Sequence, residues 1–132
     1  MKKSLILISL SLTTFLSAST NPEQLFDNKC VICHIKTIPI DRGNMVAPAI
    51  NGIMRHVKIS FPNKDKAVAF IVDYVQNPTK EKSICMPQKI AHFGLMPSQK
   101  ENITKEELES VAKWIFDKYP SANFRGRGMM KR

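Results

Sequence analysis

The stretch Cys30-Val31-Ile32-Cys33-His34 decides how the rest of this chain is interpreted. Two cysteines separated by two residues, with a histidine directly after the second, have the spacing at which a haem is attached to a polypeptide. Two sulfurs on one helical turn can each bond a vinyl group of the porphyrin, and the imidazole of His34 then supplies a nitrogen ligand to the iron. A thioredoxin-like redox motif and half of a zinc site are the alternatives for a C-x-x-C pair, but the adjoining histidine favours haem attachment.

The beginning of the chain has the pattern of a secretory signal peptide. Lys2 and Lys3 give a positive start, and the apolar run 5–16 is followed by small residues that suit cleavage. A retained membrane anchor is the alternative, although the run is shorter than the roughly 20 residues that a spanning helix needs. We therefore expect residues 1–19 to be a signal peptide and the mature protein to be periplasmic, which agrees with haem attachment outside the bacterial cytoplasm.

The mature chain is basic. Of 20 Lys and Arg and 11 Asp and Glu residues, Lys2 and Lys3 belong to the signal, which leaves 18 basic side chains and a net charge of +7 before the haem propionates are counted. Such a charge favours redox proteins with acidic docking surfaces as partners, and peripheral contact with an anionic membrane is the alternative. Nucleic acid is a poor partner for an exported protein, and we expect a monomer.

The third cysteine, Cys85, has no partner in the haem motif. An odd cysteine in an exported protein is either a small buried apolar residue or half of an intermolecular disulfide. The first interpretation is favoured, and non-reducing electrophoresis would exclude the second if the protein ran only as a monomer.

Helical patterns occur at both ends of the mature chain and in its middle. Asn21 and Pro22 predict a helix start, and the apolar face of this helix continues into the haem motif. A second helix is predicted from Asn63 to Asn77 and a third from Thr104, which forms a capping box with Glu107. We find no strand pattern, so the predicted fold class is all-α.

The segments between these helices are predicted to be irregular. Prolines and glycines interrupt the range 35–62, which we interpret as a loop that wraps a haem edge. A second irregular segment is predicted to run through 85–87 and 93–97, with a short helix near 88–92. Beyond Pro120, the stretch 121–132 contains four cations and no acids and is predicted to be a basic flexible tail. The haem domain is therefore expected to span residues 20–120.

Taken together, these features resemble the monohaem class I cytochrome c family along residues 21–119. The order is the family's: an aromatic residue four positions before the first cysteine (Phe26), the C-x-x-C-H motif, the proline loop 46–52, a Met-Pro pair, and a capped helix with an aromatic residue (Trp114). The resemblance implies first and last helices that cross around one covalent haem c and touch through Phe26 and Trp114. It also implies that the backbone carbonyl of Pro48 accepts a hydrogen bond from the far nitrogen of the haem-bound histidine.

Four side chains compete for the sixth coordination position of the iron. Met96 precedes a proline in the loop that leads into the last helix, where the family has its ligand, and is therefore our preferred candidate. Met86 also precedes a proline but lies farther from that helix, and it would suit an apolar wall of the haem crevice. His92 would give a bis-histidine haem of lower potential, and His56 has no ligand-like context.

The predicted function is periplasmic electron transfer by a haem with His34 and Met96 as axial ligands. No catalytic constellation stands out, so we predict no enzyme activity. The alternatives are a cytochrome subunit of a larger oxidase or sulfur-oxidising complex, a haem gas sensor or peroxidase with an open sixth site, and a thiol oxidoreductase that uses Cys30 and Cys33. Four lysines near the motifs are weak candidates for steering a partner: Lys29, Lys36, Lys89 and Lys100.

Overall fold

The structure, a computed structural model, describes residues 21–124. Within that range it contains five helices and no strand: α1 (Pro22–Lys29), α2 (Ile50–Ser60), α3 (Lys64–Gln76), α4 (Pro87–Phe93) and α5 (Lys105–Lys118). The all-α prediction is therefore confirmed for this part of the chain. None of these five helices combines the length and apolar character needed to cross a membrane. The predicted signal peptide and residues 125–132 of the predicted tail lie outside the described residues.

Helix α1 ends just before the segment from Cys30 to His34. Its start is as predicted, because the Asn21 side chain accepts a hydrogen bond from the Glu23 amide at 2.9 Å and proline follows at the first helical position. The helix stops one residue before Cys30, earlier than the predicted continuous face. The carbonyl of Cys30 then accepts hydrogen bonds from the amides of Cys33 and His34, at 3.1 and 2.8 Å. The motif therefore lies on a tight turn that leaves the end of α1.

The prediction that 35–62 is one long loop is wrong, because part of this range forms helix α2. Residues 50–60 are helical and bury Ile50, Met54 and Val57, which follow one another at spacings of four and three residues. The usual start signal is missing because Ala49 occupies the capping position and offers no side-chain hydrogen bond. Only residues 35–49 remain irregular between α1 and α2.

The other predicted helices are present. Asn63 caps α3, the short helix α4 occupies 87–93, and α5 has the predicted capping box. In that box the Thr104 hydroxyl accepts from the Glu107 amide at 3.2 Å, and the Glu107 carboxylate accepts from the Thr104 amide at 3.0 Å. These two bonds satisfy donors that would otherwise be left unpaired at the start of the helix.

The first and last helices pack against each other through aromatic side chains. The ring centroids of Phe26 and Trp114 lie 5.6 Å apart, so the predicted contact between them is confirmed. Tyr119 completes the cluster, 6.4 Å from Phe26 and 5.8 Å from Trp114. Helix α5 also packs along α3 and touches α2, which makes it the central element of the described fold.

The capping box gives a direct test of the start of α5. Replacing Thr104 by alanine is expected to lower the free energy of unfolding by about 1 kcal/mol, because one helix donor loses its acceptor. Thr37, an exposed threonine in the loop after the motif, is the matched control, and Thr37→Ala should change stability by less than about 0.5 kcal/mol. Urea unfolding of both variants measures the difference; equal values would contradict this role of Thr104.

Candidate functional site

A cavity of about 380 Å³ opens between the end of α1 and the other four helices. Its volume is within the range of small-molecule and cofactor sites, about 300–1,000 Å³. Every helix contributes apolar side chains, for example Phe26 from α1, Met54 from α2, Ile71 from α3, Phe93 from α4 and Val111 from α5. The interior is therefore largely apolar, as suits a flat, mostly hydrocarbon group.

All five predicted site residues line this one cavity. Cys30, Cys33 and His34 reach it from the turn after α1, Pro48 from the residues before α2, and Met96 from the loop between α4 and α5. These residues come from three separate segments, so the fold, and not local sequence, brings them together. The cavity lining therefore brings together two cysteine sulfurs, an imidazole and a thioether, which are groups that can bond a haem and its iron.

His34 is held in one tautomer. Its Nδ1 atom lies 2.9 Å from the carbonyl oxygen of Pro48. A carbonyl can only accept, so Nδ1 carries the proton and donates. Burial lowers the pKa of the His34 imidazole, and the hydrogen bond to Pro48 opposes that shift only in part. The ring is therefore neutral at pH 7, and its Nε2 lone pair is available as a ligand.

The two thiols of the motif differ in exposure. Cys30 is half-buried and Cys33 is exposed, and neither is in a disulfide. Burial raises the pKa of the Cys30 thiol to about 11, against the opposing effect of nearby Lys29. At neutral pH Cys30 is therefore protonated, whereas reactive redox cysteines have a lowered pKa. Within residues 21–124, no three His, Cys, Asp or Glu side chains are placed so that together they could hold one metal ion, and three is the minimum for a zinc site.

Of the four competitors for the sixth position, Met96 alone lines the cavity. Met96 is half-buried, whereas Met86 is 48% exposed at the capping position of α4. His92 is exposed on α4, and His56 lies half-buried on α2, away from the cavity lining.

The loop that carries Met96 is anchored to the end of α3. The Ser98 hydroxyl donates to the carbonyl of Gln76 at 2.6 Å, and the Gln99 amide donates to the carbonyl of Val75 at 3.0 Å. Both contacts follow Met96 within three residues. These bonds fix the position of the loop segment from which the Met96 side chain reaches the cavity.

The cavity lining also includes polar residues other than the five predicted site residues. Cys85, the third cysteine, is half-buried and also lines the cavity. Further polar residues also line the cavity: Tyr74 on α3, and Ser83, Gln99 and Asn102 in irregular segments. No local sequence pattern predicts that these residues meet, because they are brought together only by the fold.

The four candidate lysines have different surroundings, and Lys100 is exposed and does not line the cavity. Lys36 forms ion pairs with Glu23 at 3.2 Å and Asp27 at 2.6 Å, and Lys29 lies 3.8 Å from Glu107 and donates to the Asn102 carbonyl. Their charges are therefore partly neutralised within the chain. Lys89 lines the cavity and has no acidic partner among the described residues.

Comparison with known proteins gives one extended similarity. Over 135 aligned residues the chain is 29% identical to a protein of Aquifex aeolicus (strain VF5) described as an uncharacterized protein. The alignment covers 90% of this chain and 89% of that protein. No protein-family model matches the chain, and no solved structure matches it. A functional proposal therefore has to rest on the chain's own residues.

Proposed function

We propose that this protein is a periplasmic electron carrier with the class I cytochrome c fold and one covalently attached haem c. The proposal depends on one observation above all. The attachment motif and a single one of the four rival sixth ligands, Met96, line the same apolar cavity.

Each residue of the set has a role in this proposal. Cys30 and Cys33 would hold the haem through thioether bonds, and His34 would bind the iron through Nε2. The carbonyl of Pro48 orients the imidazole and makes it a stronger electron donor through the Nδ1 hydrogen bond. The sulfur of Met96 would occupy the remaining axial position.

The surroundings of the cavity suit electron transfer. A haem bound here supplies one-electron chemistry at its iron. The apolar walls from Met54, Ile71 and Val111 disfavour extra positive charge in the interior, because a low-dielectric environment penalises a charge that is not paired. A thioether ligand also favours the reduced state, so we expect a high potential for a c-type site.

The charge around the cavity fits an acidic redox partner. Lys89 lies at the cavity lining on α4, with its ammonium 5.5 Å from the ring centroid of Phe93. A cation at this position attracts acidic surfaces to the part of α4 that lines the cavity. Lys36 is a weaker candidate because Glu23 and Asp27 already pair with it.

The deciding experiment is an optical spectrum of the full chain produced in a bacterium that exports and attaches c-type haem. We expect a low-spin c-type spectrum whose reduced-minus-oxidised difference shows one haem per chain. The haem should remain with the polypeptide after denaturation, since thioether bonds are covalent. A purified protein that contains no covalent haem under these conditions would contradict the proposal.

A further inference from the structure

Asn51 is the only buried polar residue in residues 21–124, with 7% of its surface exposed. It lies in the first turn of α2, three positions after Pro48. Its side-chain Nδ2 donates to the carbonyl of Lys36 at 2.9 Å, and its Oδ1 accepts from the amide of Ser121 at 2.7 Å. A buried amide that is satisfied on both sides holds its neighbours in one arrangement.

These contacts complete a ladder between the chain after His34 and the chain after Pro48. The first rung runs from His34 Nδ1 to the Pro48 carbonyl at 2.9 Å. The second joins the amide of Ile50 to the carbonyl of Ile35 at 3.1 Å. The third is the bond from Asn51 to the Lys36 carbonyl. Asn51 therefore ends a three-rung ladder that begins at His34.

The contact with Ser121 fixes which way the Asn51 amide points. An amide N–H can only donate, so the oxygen of Asn51 must face Ser121. The nitrogen of Asn51 is then left to face the Lys36 carbonyl, which can only accept. The segment that follows α5 thus holds Asn51 in the orientation that the ladder requires.

We propose that Asn51 is a positioning residue for His34: it fixes the spacing between the two segments and thereby the strength of the bond from His34 to Pro48. This role depends on the proposed function, because the hydrogen bond can tune the electron-donating power of His34 toward iron only if His34 is a haem ligand. A weaker bond makes the imidazole a poorer donor, which disfavours ferric iron. Loss of Asn51 should therefore raise the reduction potential.

The test compares three variants of the haem-loaded chain. Asn51→Leu removes both hydrogen bonds at similar size, and Asn51→Asp keeps an acceptor for Ser121 but loses the donor for Lys36. Val72→Ala is the control, because Val72 is buried on α3 and does not line the cavity. We expect Asn51→Leu to raise the ratio of reduced to oxidised protein at fixed potential about threefold or more, and Asn51→Asp to raise it less, because its added negative charge favours ferric iron. The control should lose stability with an unchanged ratio.

A second pair of variants needs no substitution in the core. A chain that ends at residue 120 lacks the Ser121 amide, whereas a chain that ends at residue 124 retains it. We expect a shift of the same sign, but smaller, in the first chain and none in the second. This pair also gives an answer if the Asn51 variants fail to fold.

The ring-nitrogen chemical shifts of His34 provide a readout that does not depend on haem. In the parent chain they should report a protonated Nδ1, and in the Asn51 variants a weakened Nδ1 hydrogen bond. Unchanged shifts and unchanged potentials, with only a loss of stability, would overturn the role of Asn51. A chain without haem would contradict the proposed function, and the nitrogen shifts would still decide the inference.

Discussion

A protein with Met96 replaced by alanine is expected to keep its covalent haem and to lose its low-spin spectrum. Attachment by Cys30 and Cys33 and ligation by His34 do not involve Met96, so the haem should be incorporated. The sixth position would be open, because no other candidate ligand lines the cavity. The reduced variant should bind carbon monoxide rapidly, and its potential should fall by roughly 0.1 V or more within the 0.8 V range that axial ligands control. Optical spectra and a redox titration measure both effects.

Met86→Ala is the matched control for this experiment. Met86 also precedes a proline, but its side chain is 48% exposed and does not line the cavity, so its removal should leave spectrum and potential unchanged. A Met96→Ala protein that kept the weak sulfur-to-iron band near the red end of the spectrum would move the assignment to Met86. Rapid carbon monoxide binding by the reduced parent chain would instead favour an open sixth site and a gas-sensing role.

The local sequence was sufficient to predict those helix starts that depend on contacts between residues close together along the chain. The capping box at Thr104 and Glu107 satisfies donors three residues apart, so the start of α5 could be predicted from a few letters. Asn21 and Asn63 are similar cases, because each accepts from a nearby amide in its own first turn. The end of α1 was less predictable, since the turn at Cys30 interrupts an apolar pattern that could have continued as a helix.

Helix α2 could not be recognised in this way because its stability comes from packing. Ala49 gives no side-chain cap, Gly52 lies in the first turn, and Pro48 directly precedes the cap. These are signals of a loop. The helix forms because Ile50, Met54 and Val57 become buried against the rest of the fold, and that burial outweighs the weak local propensity.

The local sequence is also insufficient to decide between Met96 and Met86 as the sixth ligand. Both are followed by proline, so the local pattern does not separate them. Their positions differ because Ser98 and Gln99 tie the second loop to the end of α3, whereas Met86 begins an exposed short helix. Distance from α5 along the sequence favoured Met96, which is the methionine of the two that lines the cavity. The anchoring contacts are with residues more than 20 positions away and carry no local signal.

Replacing both Cys30 and Cys33 by serine is expected to abolish covalent haem attachment completely. Serine has nearly the same size but cannot form the thioether bond, so any haem in the variant should be removed by denaturation. In the parent chain, the two sulfurs should resist alkylation under denaturing and reducing conditions, because in the proposed haem protein both would already be bonded to carbon. Mass spectrometry of the denatured protein measures the number of alkylated cysteines.

Cys85 is the internal control for this measurement. It is a free thiol in the same chain, so one alkylated cysteine per parent molecule is expected, and the reagent is thereby shown to work. Three alkylated cysteines would contradict haem attachment and return attention to thiol chemistry at Cys30 and Cys33. That chemistry is disfavoured by burial, which raises the pKa of Cys30 to about 11 and keeps it protonated at neutral pH. The half-buried Cys30, the neutral His34 and the apolar cavity are therefore better suited to holding a haem than to exchanging disulfides.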